Sequence, residues 1–184
     1  MTRKVIRCML LIALVLGAPQ GYAEWQADPG EKIQVKAATA IANLREKTPA
    51  AEQYFDDAYA FAVMPSVTRL ALGFGGAYGK GIVVEGDAVT GTTKFWQFTS
   101  GIQGGVRNFS MIVFFKDKDS LEYYKIGEMQ FIGQAGIAVG TVGAASTPTY
   151  NEGVAILTVS RLGLMVEFSY SGAKFSYKAL SNEE

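Results

Sequence analysis

Between Leu70 and Val83 the chain sorts its residues by size. Every second position from Ala71 is small, giving Ala71, Gly73, Gly75, Ala77, Gly79 and Gly81. The positions between them, Leu70, Leu72, Phe74, Gly76, Tyr78, Lys80 and Ile82, are mostly large. Successive side chains of a strand point to opposite faces, so the two series describe two surfaces of one strand. A surface of bare backbone lets another element approach very closely, or lets a sheet bend sharply toward a barrel. The Gly-rich segment therefore reads first as architecture.

Residues 1–23 read as a secretory signal peptide lying outside the fold. Arg3, Lys4 and Arg7 make a basic start, a short apolar run follows from Cys8 to Leu16, and Gly21-Tyr22-Ala23 offers small residues for cleavage after Ala23. The apolar run is too short to span a bilayer, and Cys8 precedes it, the wrong place for a lipidated N-terminus. Export to the periplasm is the expectation. Residues 24–184 are then long enough for one domain with a sizeable core, and no boundary divides them.

The chain has no histidine, and its single cysteine is Cys8 in the leader. Disulfides, thiol chemistry, imidazole or thiolate metal ligands and any nucleophile–histidine pair are thereby excluded from the exported chain. All 17 acidic residues follow the leader while three of the 17 basic ones lie within it, so the exported chain is mildly acidic. That balance argues against a nucleic-acid partner.

Two helices are expected over about 29–58. Asp28-Pro29-Gly30-Glu31 has the form of a cap, a proline at the first helical position and a capping-box glutamate. Ile33, Ala37, Ile41 and Leu44 then recur at helical spacing, and Thr48-Pro49 opens the second helix, running to about Asp57. The stripe suits packing on a sheet, with an interfacial helix meeting anionic headgroups as the sharper alternative. From about 59 to 178 the pattern is one of short strands. They are expected at 60–64 before Pro65, at 70–84, 94–106 and 110–115, at 129–142, and at 154–160, 164–169 and 174–177. Asp119-Ser120-Leu121-Glu122 predicts a short capped helix between strands. The fold class is α+β, mainly β: a strongly curved antiparallel sheet or β-barrel with two N-terminal helices.

Motifs for chemistry fail on inspection. Gly73-Phe74-Gly75-Gly76-Ala77-Tyr78 puts Tyr78 where a dinucleotide fingerprint needs its third glycine, and no helix pattern follows. Gly79-Lys80-Gly81 lacks the earlier glycine and the following Ser or Thr of a phosphate-binding loop. Asp117-Lys118-Asp119 would place Glu122 at the glycine position of a calcium loop. Asp56-Asp57 are helix neighbours that diverge and cannot share a proton. Ser66, with Arg69 and Lys80 near in sequence, lies in no nucleophile elbow. A non-enzymatic protein without cofactor or metal is the expectation, a small hydrolase using Ser66 or a carboxylate the outlying one.

Four stretches carry a family resemblance. Ala60-Phe61-Ala62-Val63-Met64-Pro65-Ser66-Val67, Gly73 to Gly81, Ser100-Gly101-Ile102-Gln103-Gly104-Gly105, and Ser160-Arg161-Leu162-Gly163-Leu164 with Gly172 resemble, in this order, the SYLF (Ysc84-type, DUF500) family. The resemblance covers about Tyr54 to Tyr177. It implies a lipid-binding module, since eukaryotic relatives bind phosphoinositide membranes and fungal ones actin, while bacterial members are mostly exported envelope proteins. It also implies a curved antiparallel sheet or barrel with N-terminal helices. The chain departs from the pattern at Tyr170-Ser171, where the family has an acidic residue. Its segment Lys32 to Lys47 matches the eukaryotic membrane-attaching segment only loosely. Phosphoinositide and actin specificity do not carry over to a bacterial periplasm.

A periplasmic lipid- or membrane-binding protein supporting envelope integrity or lipid handling is thus expected, with a protein-docking envelope component as the alternative. Arg69, Lys80, Arg107 and Arg161 are the candidate headgroup ligands. Each is placed near a strand end or turn, where a cation can pair with phosphate.

Overall fold

The computed structural model describes residues 25–127, 130–132, 139–141, 150 and 152–180, with backbone only at 101–103, 130–132, 139–141 and 161–172. The expected leader and most of the expected strand 129–142 lie outside them. The elements are α1 (Lys32–Lys47), a 3-10 turn (Pro49–Ala51) leading into α2 (Glu52–Asp57), β1 (Ala60–Glu85), β2 (Ala88–Phe115), α3 (Lys118–Lys125), β3 (Gln130–Ile132), β4 (Val139–Thr141) and β5 (Val154–Ala179).

The helices follow the expected stripe with shifted starts. Ala37, Ala40, Ile41 and Leu44 are buried along α1, and Arg45 and Lys47 occupy its last turn, where they complement the helix dipole. The helix begins at Lys32, with Glu31 at the N-cap and no side-chain cap bond; Asp28 holds the turn before it, its carboxylate accepting from the Gly30 N–H at 2.8 Å and its own N–H donating to Gln34 Oε1 at 3.0 Å. In α3 the cap is Asp117 and not Asp119. Asp117 Oδ1 accepts from the Ser120 N–H at 2.9 Å, and the Ser120 hydroxyl closes a capping box back to the Asp117 N–H.

The sheet is five-stranded and mainly antiparallel, in the order β1-β2-β5-β3, with β4 pairing parallel to β5. Among the described residues no pairing joins β1 to β3 or β4, so the sheet is not closed into a barrel. Three continuous strands of 26, 28 and 26 residues replace the many short ones expected from the sequence. Pro65 does not end β1. It sits in a bulge between Met64 and Val67 where the ladder skips, so its missing N–H costs no rung, and its carbonyl accepts from the Ser110 hydroxyl at 2.8 Å. Arg107-Asn108-Phe109 likewise continues β2. Leu162-Gly163 and Ser171-Gly172 continue β5, with Arg161 as the extra residue of a bulge opposite Asn108 and Phe109.

The small series of β1 earns its place by close approach. A Cβ on Gly75 would lie 2.7 Å from that of Ala71, one on Gly79 2.7 Å from Val67 Cγ2, and one on Gly81 would strike the Val63 carbonyl. The first two contacts are centred on Gly73 and the third on its neighbour Leu72; the φ of +72° at Gly73 suits glycine and disfavours other residues. The two halves of β1 therefore meet. β5 obeys the same constraint. Ile132 pairs with Gly172 and Val139 with Ile156. The seven steps between Ile132 and Val139 reach at most about 25 Å. A straight strand would hold Ile156 and Gly172 about 53 Å apart.

Two cores result. One gathers Met64, Val67, Ala77, Phe95, Phe109, Met111, Phe115, Ile156 and Phe175 with Leu121 and Tyr124 of α3. The other packs α1 and α2, through Ala37, Ile41, Leu44 and Tyr54, onto Val63, Ile82, Ile112, Phe114, Ala155 and Leu157.

Candidate functional site

The four cations singled out by sequence are not gathered. Arg69 is buried and pairs in register with Arg107. Its parity is that of Ala71 and Ala77, the inward series, which puts it on the wrong side for an exposed headgroup. Arg107 is half-buried. Its Nη2 donates to Ser160 Oγ at 2.8 Å, and its guanidinium carbon lies 5.5 Å from the centre of the Phe109 ring. Arg161 occupies the β5 bulge. Lys80 is exposed, with Nζ 6.0 Å from the centre of the Tyr78 ring. None of these lies at a turn: the breaks expected beside Arg69, Arg107 and Arg161 are continuous strand, and Lys80 lies within β1 before its turn.

The large series of β1 instead builds the most distinctive surface. Leu70, Leu72 and Phe74 are 57%, 87% and 69% exposed, and Trp96, Phe98 and Val106 of β2 are 53%, 63% and 54% exposed. Register explains why they stand together. Leu70 pairs with Val106, Gly76 with Phe98 and Tyr78 with Trp96, and direct antiparallel partners share a face. The rings confirm it: Phe74 stacks near Phe98 at 6.5 Å between centroids, and Tyr78 meets Trp96 at 4.4 Å. The backbone pairing extends the Leu70 and Leu72 rungs into β5, with Leu164 opposite Val106 and Val166 opposite Gly104.

Lysines border this apolar field. Lys80 pairs directly with Lys94, Trp96 with Lys174, and Thr92 with Lys178, and all four lysines are exposed. The size alternation of 70–82 was the signal for the apolar part, and Lys80 its only cation. The other lysines come to the face through pairings of β2 and β5 that no local pattern announces.

Titratable groups with shifted affinity lie elsewhere. Glu85 is held below the ordinary carboxylate range by the Tyr59 hydroxyl, which donates at 2.6 Å, and by Lys125 Nζ at 3.2 Å, against a partial burial that works the other way. Burial opposes the charge of Lys125, but Glu122 and Glu85 outweigh it and raise its pKa. Tyr124 is fully buried, shares a hydrogen bond with Thr93, and is raised by that burial. These groups tie α3 to the sheet. Ser66 is exposed and its hydroxyl accepts from Asn108 Nδ2 at 3.0 Å, an amide donor that is no base. Among the described residues no cluster of three acidic, cysteine or histidine side chains could hold a metal, and no helix is long and apolar enough to cross a membrane.

No family model matches the chain, and no solved structure matches it. Beta cell expansion factor A of Aeromonas veronii is 27% identical over 146 residues, 78% of this chain and 55% of that protein. The chain thus spans about half the length of that relative.

Proposed function

We propose that this chain is a non-enzymatic, SYLF-type lipid- or membrane-surface-binding protein of the bacterial periplasm, serving envelope integrity or lipid handling. The observation that carries the reading is the bare face around Leu72, Phe74 and Phe98. Contiguous exposed apolar surface on a water-soluble domain marks a site of membrane or protein contact. Aromatic side chains bordered by lysines favour the membrane, because the Tyr and Trp rings and the lysine stems suit the zone between headgroups and acyl chains. The leader-like residues 1–23 and the four motif stretches support the location and the family. We further read the approaches within β1 and the short β3–β4 crossing as marks of a sheet folded across its whole width. Such a fold presents the bare face on its convex side.

Co-sedimentation of the exported protein with phospholipid vesicles tests this. Pelleting with vesicles, weakened by a Leu72→Asp, Phe74→Asp, Phe98→Asp variant that retains its circular dichroism, is the expected result. Failure to pellet with any vesicle, together with crosslinking to one defined envelope protein through the same face, would replace it by the protein-docking alternative.

A further inference from the structure

We propose that the bare face selects anionic bilayers, with Lys80, Lys94 and Lys174 receiving lipid phosphate while Trp96, Phe98 and Phe74 enter the interface beside them. The inference rests on the membrane reading above and adds the charge class of the lipid. Its first support is placement. Three alternate rungs of β1, β2 and β5, which share one face, namely Ile82–Thr92–Lys178, Lys80–Lys94–Ser176 and Tyr78–Trp96–Lys174, bring four lysines to one end of the apolar field. Among the described residues no ion pair is formed by any of them, whereas Lys125, elsewhere on the molecule, is held by both Glu85 and Glu122.

The second support is a cost that the sheet carries. Lys80 and Lys94 are direct cross-strand partners, and like charges facing each other across a ladder destabilise it. A neutral or opposite residue at either position would serve the sheet better. An anionic surface turns the repulsion into attraction for both ammonium groups at once, and their compact, strongly hydrated charges suit phosphate as point partners. The neighbouring Tyr78–Trp96 pair, 4.4 Å between centroids, sets the lysines at the level where aromatic rings meet headgroups.

The test compares vesicles of phosphatidylcholine alone with vesicles carrying increasing phosphatidylglycerol, at low and physiological salt. The wild-type protein is run beside a Lys80→Gln, Lys94→Gln, Lys174→Gln variant. Affinity is expected to rise with the phosphatidylglycerol fraction and to fall with salt, with a loss of about fivefold per lysine removed on anionic vesicles. On phosphatidylcholine the two proteins should bind alike. Because all three positions are exposed, the variant should fold. Its thermal midpoint should equal or exceed the wild-type value, since the facing charges are gone. Equal affinity of the wild type for both vesicle types at low salt, or an unchanged affinity of the variant for anionic vesicles, overturns the charge selection and leaves the membrane reading standing. Binding to no vesicle of any composition overturns both.

Discussion

The outer side of the sheet is dressed in two ways by the same three strands. Near Val63, Ile112, Phe114 and Leu157 it lies under α1 and α2, and these side chains are almost wholly buried. A few rungs further along, Leu70, Leu72, Phe74, Trp96, Phe98 and Val106 carry side chains as large and as apolar, and none of the described elements covers them. Strand alternation is equally regular in both places. The pattern thus reports which residues share a face, and only the tertiary structure reports whether that face has a cover. A covered face spends its apolar surface on folding; a bare one keeps it for a partner.

Two leucines sharpen this contrast. Leu44 is fully buried between α1 and the sheet, so Leu44→Ala should destabilise the fold by about 2–5 kcal/mol in chemical denaturation. Leu72→Ala, the same chemical change on the bare face, should alter stability by no more than about 0.5 kcal/mol while weakening vesicle binding. A large loss of stability from Leu72→Ala would show that the face is covered after all.

The glycines repeat the comparison at smaller scale. A Cβ at Gly81 would strike the Val63 carbonyl where the halves of β1 meet, so Gly81→Ala should cost about 1–3 kcal/mol through forced displacement of backbone. Gly104 pairs with Leu72, and a Cβ there meets nothing within 4 Å. Gly104→Ala should therefore be tolerated, with a midpoint close to wild type in the same measurement. Equal effects at the two sites would remove the close approach from the account.

A pH titration of stability gives a weaker effect, confined to the α3 side. The pKa of Glu85 is lowered below its ordinary 4.5, first by the Tyr59 hydroxyl, and that of Asp117 below 3.8, first by the Ser120 N–H. A lowered folded-state pKa means that the stabilisation is complete above the unfolded value and is lost as pH falls through the folded one. Stability should thus decline on acidification below about pH 4.5. Glu85→Gln should flatten part of that decline, while Lys80→Gln should leave its shape unchanged.

The helices and the two faces of β1 were legible because each rests on local spacing. Ile41 and Leu44 fall one turn apart, and Gly75, Gly79 and Gly81 share a parity. Strand continuity was not legible. Pro65, Gly163 and Gly172 carry the same local signals as turn residues, and only their partners turn them into bulges and through-strand positions. The cations suffered from the same error. Arg69 was placed by an expected turn, but in an unbroken strand its parity sends it inward. Lys94 and Lys174 reach the face only through register, a long-range property that no window of sequence contains.

The central claim, that the bare face meets lipid, is tested most directly at Trp96. The chain has two tryptophans, Trp25 and Trp96. A Trp25→Phe variant leaves Trp96 as sole reporter, half-exposed beside Tyr78. On adding anionic vesicles its emission should shift to the blue and be quenched by brominated acyl chains. A protein that pellets with the vesicles while Trp96 keeps its aqueous spectrum and stays open to iodide would contradict the account.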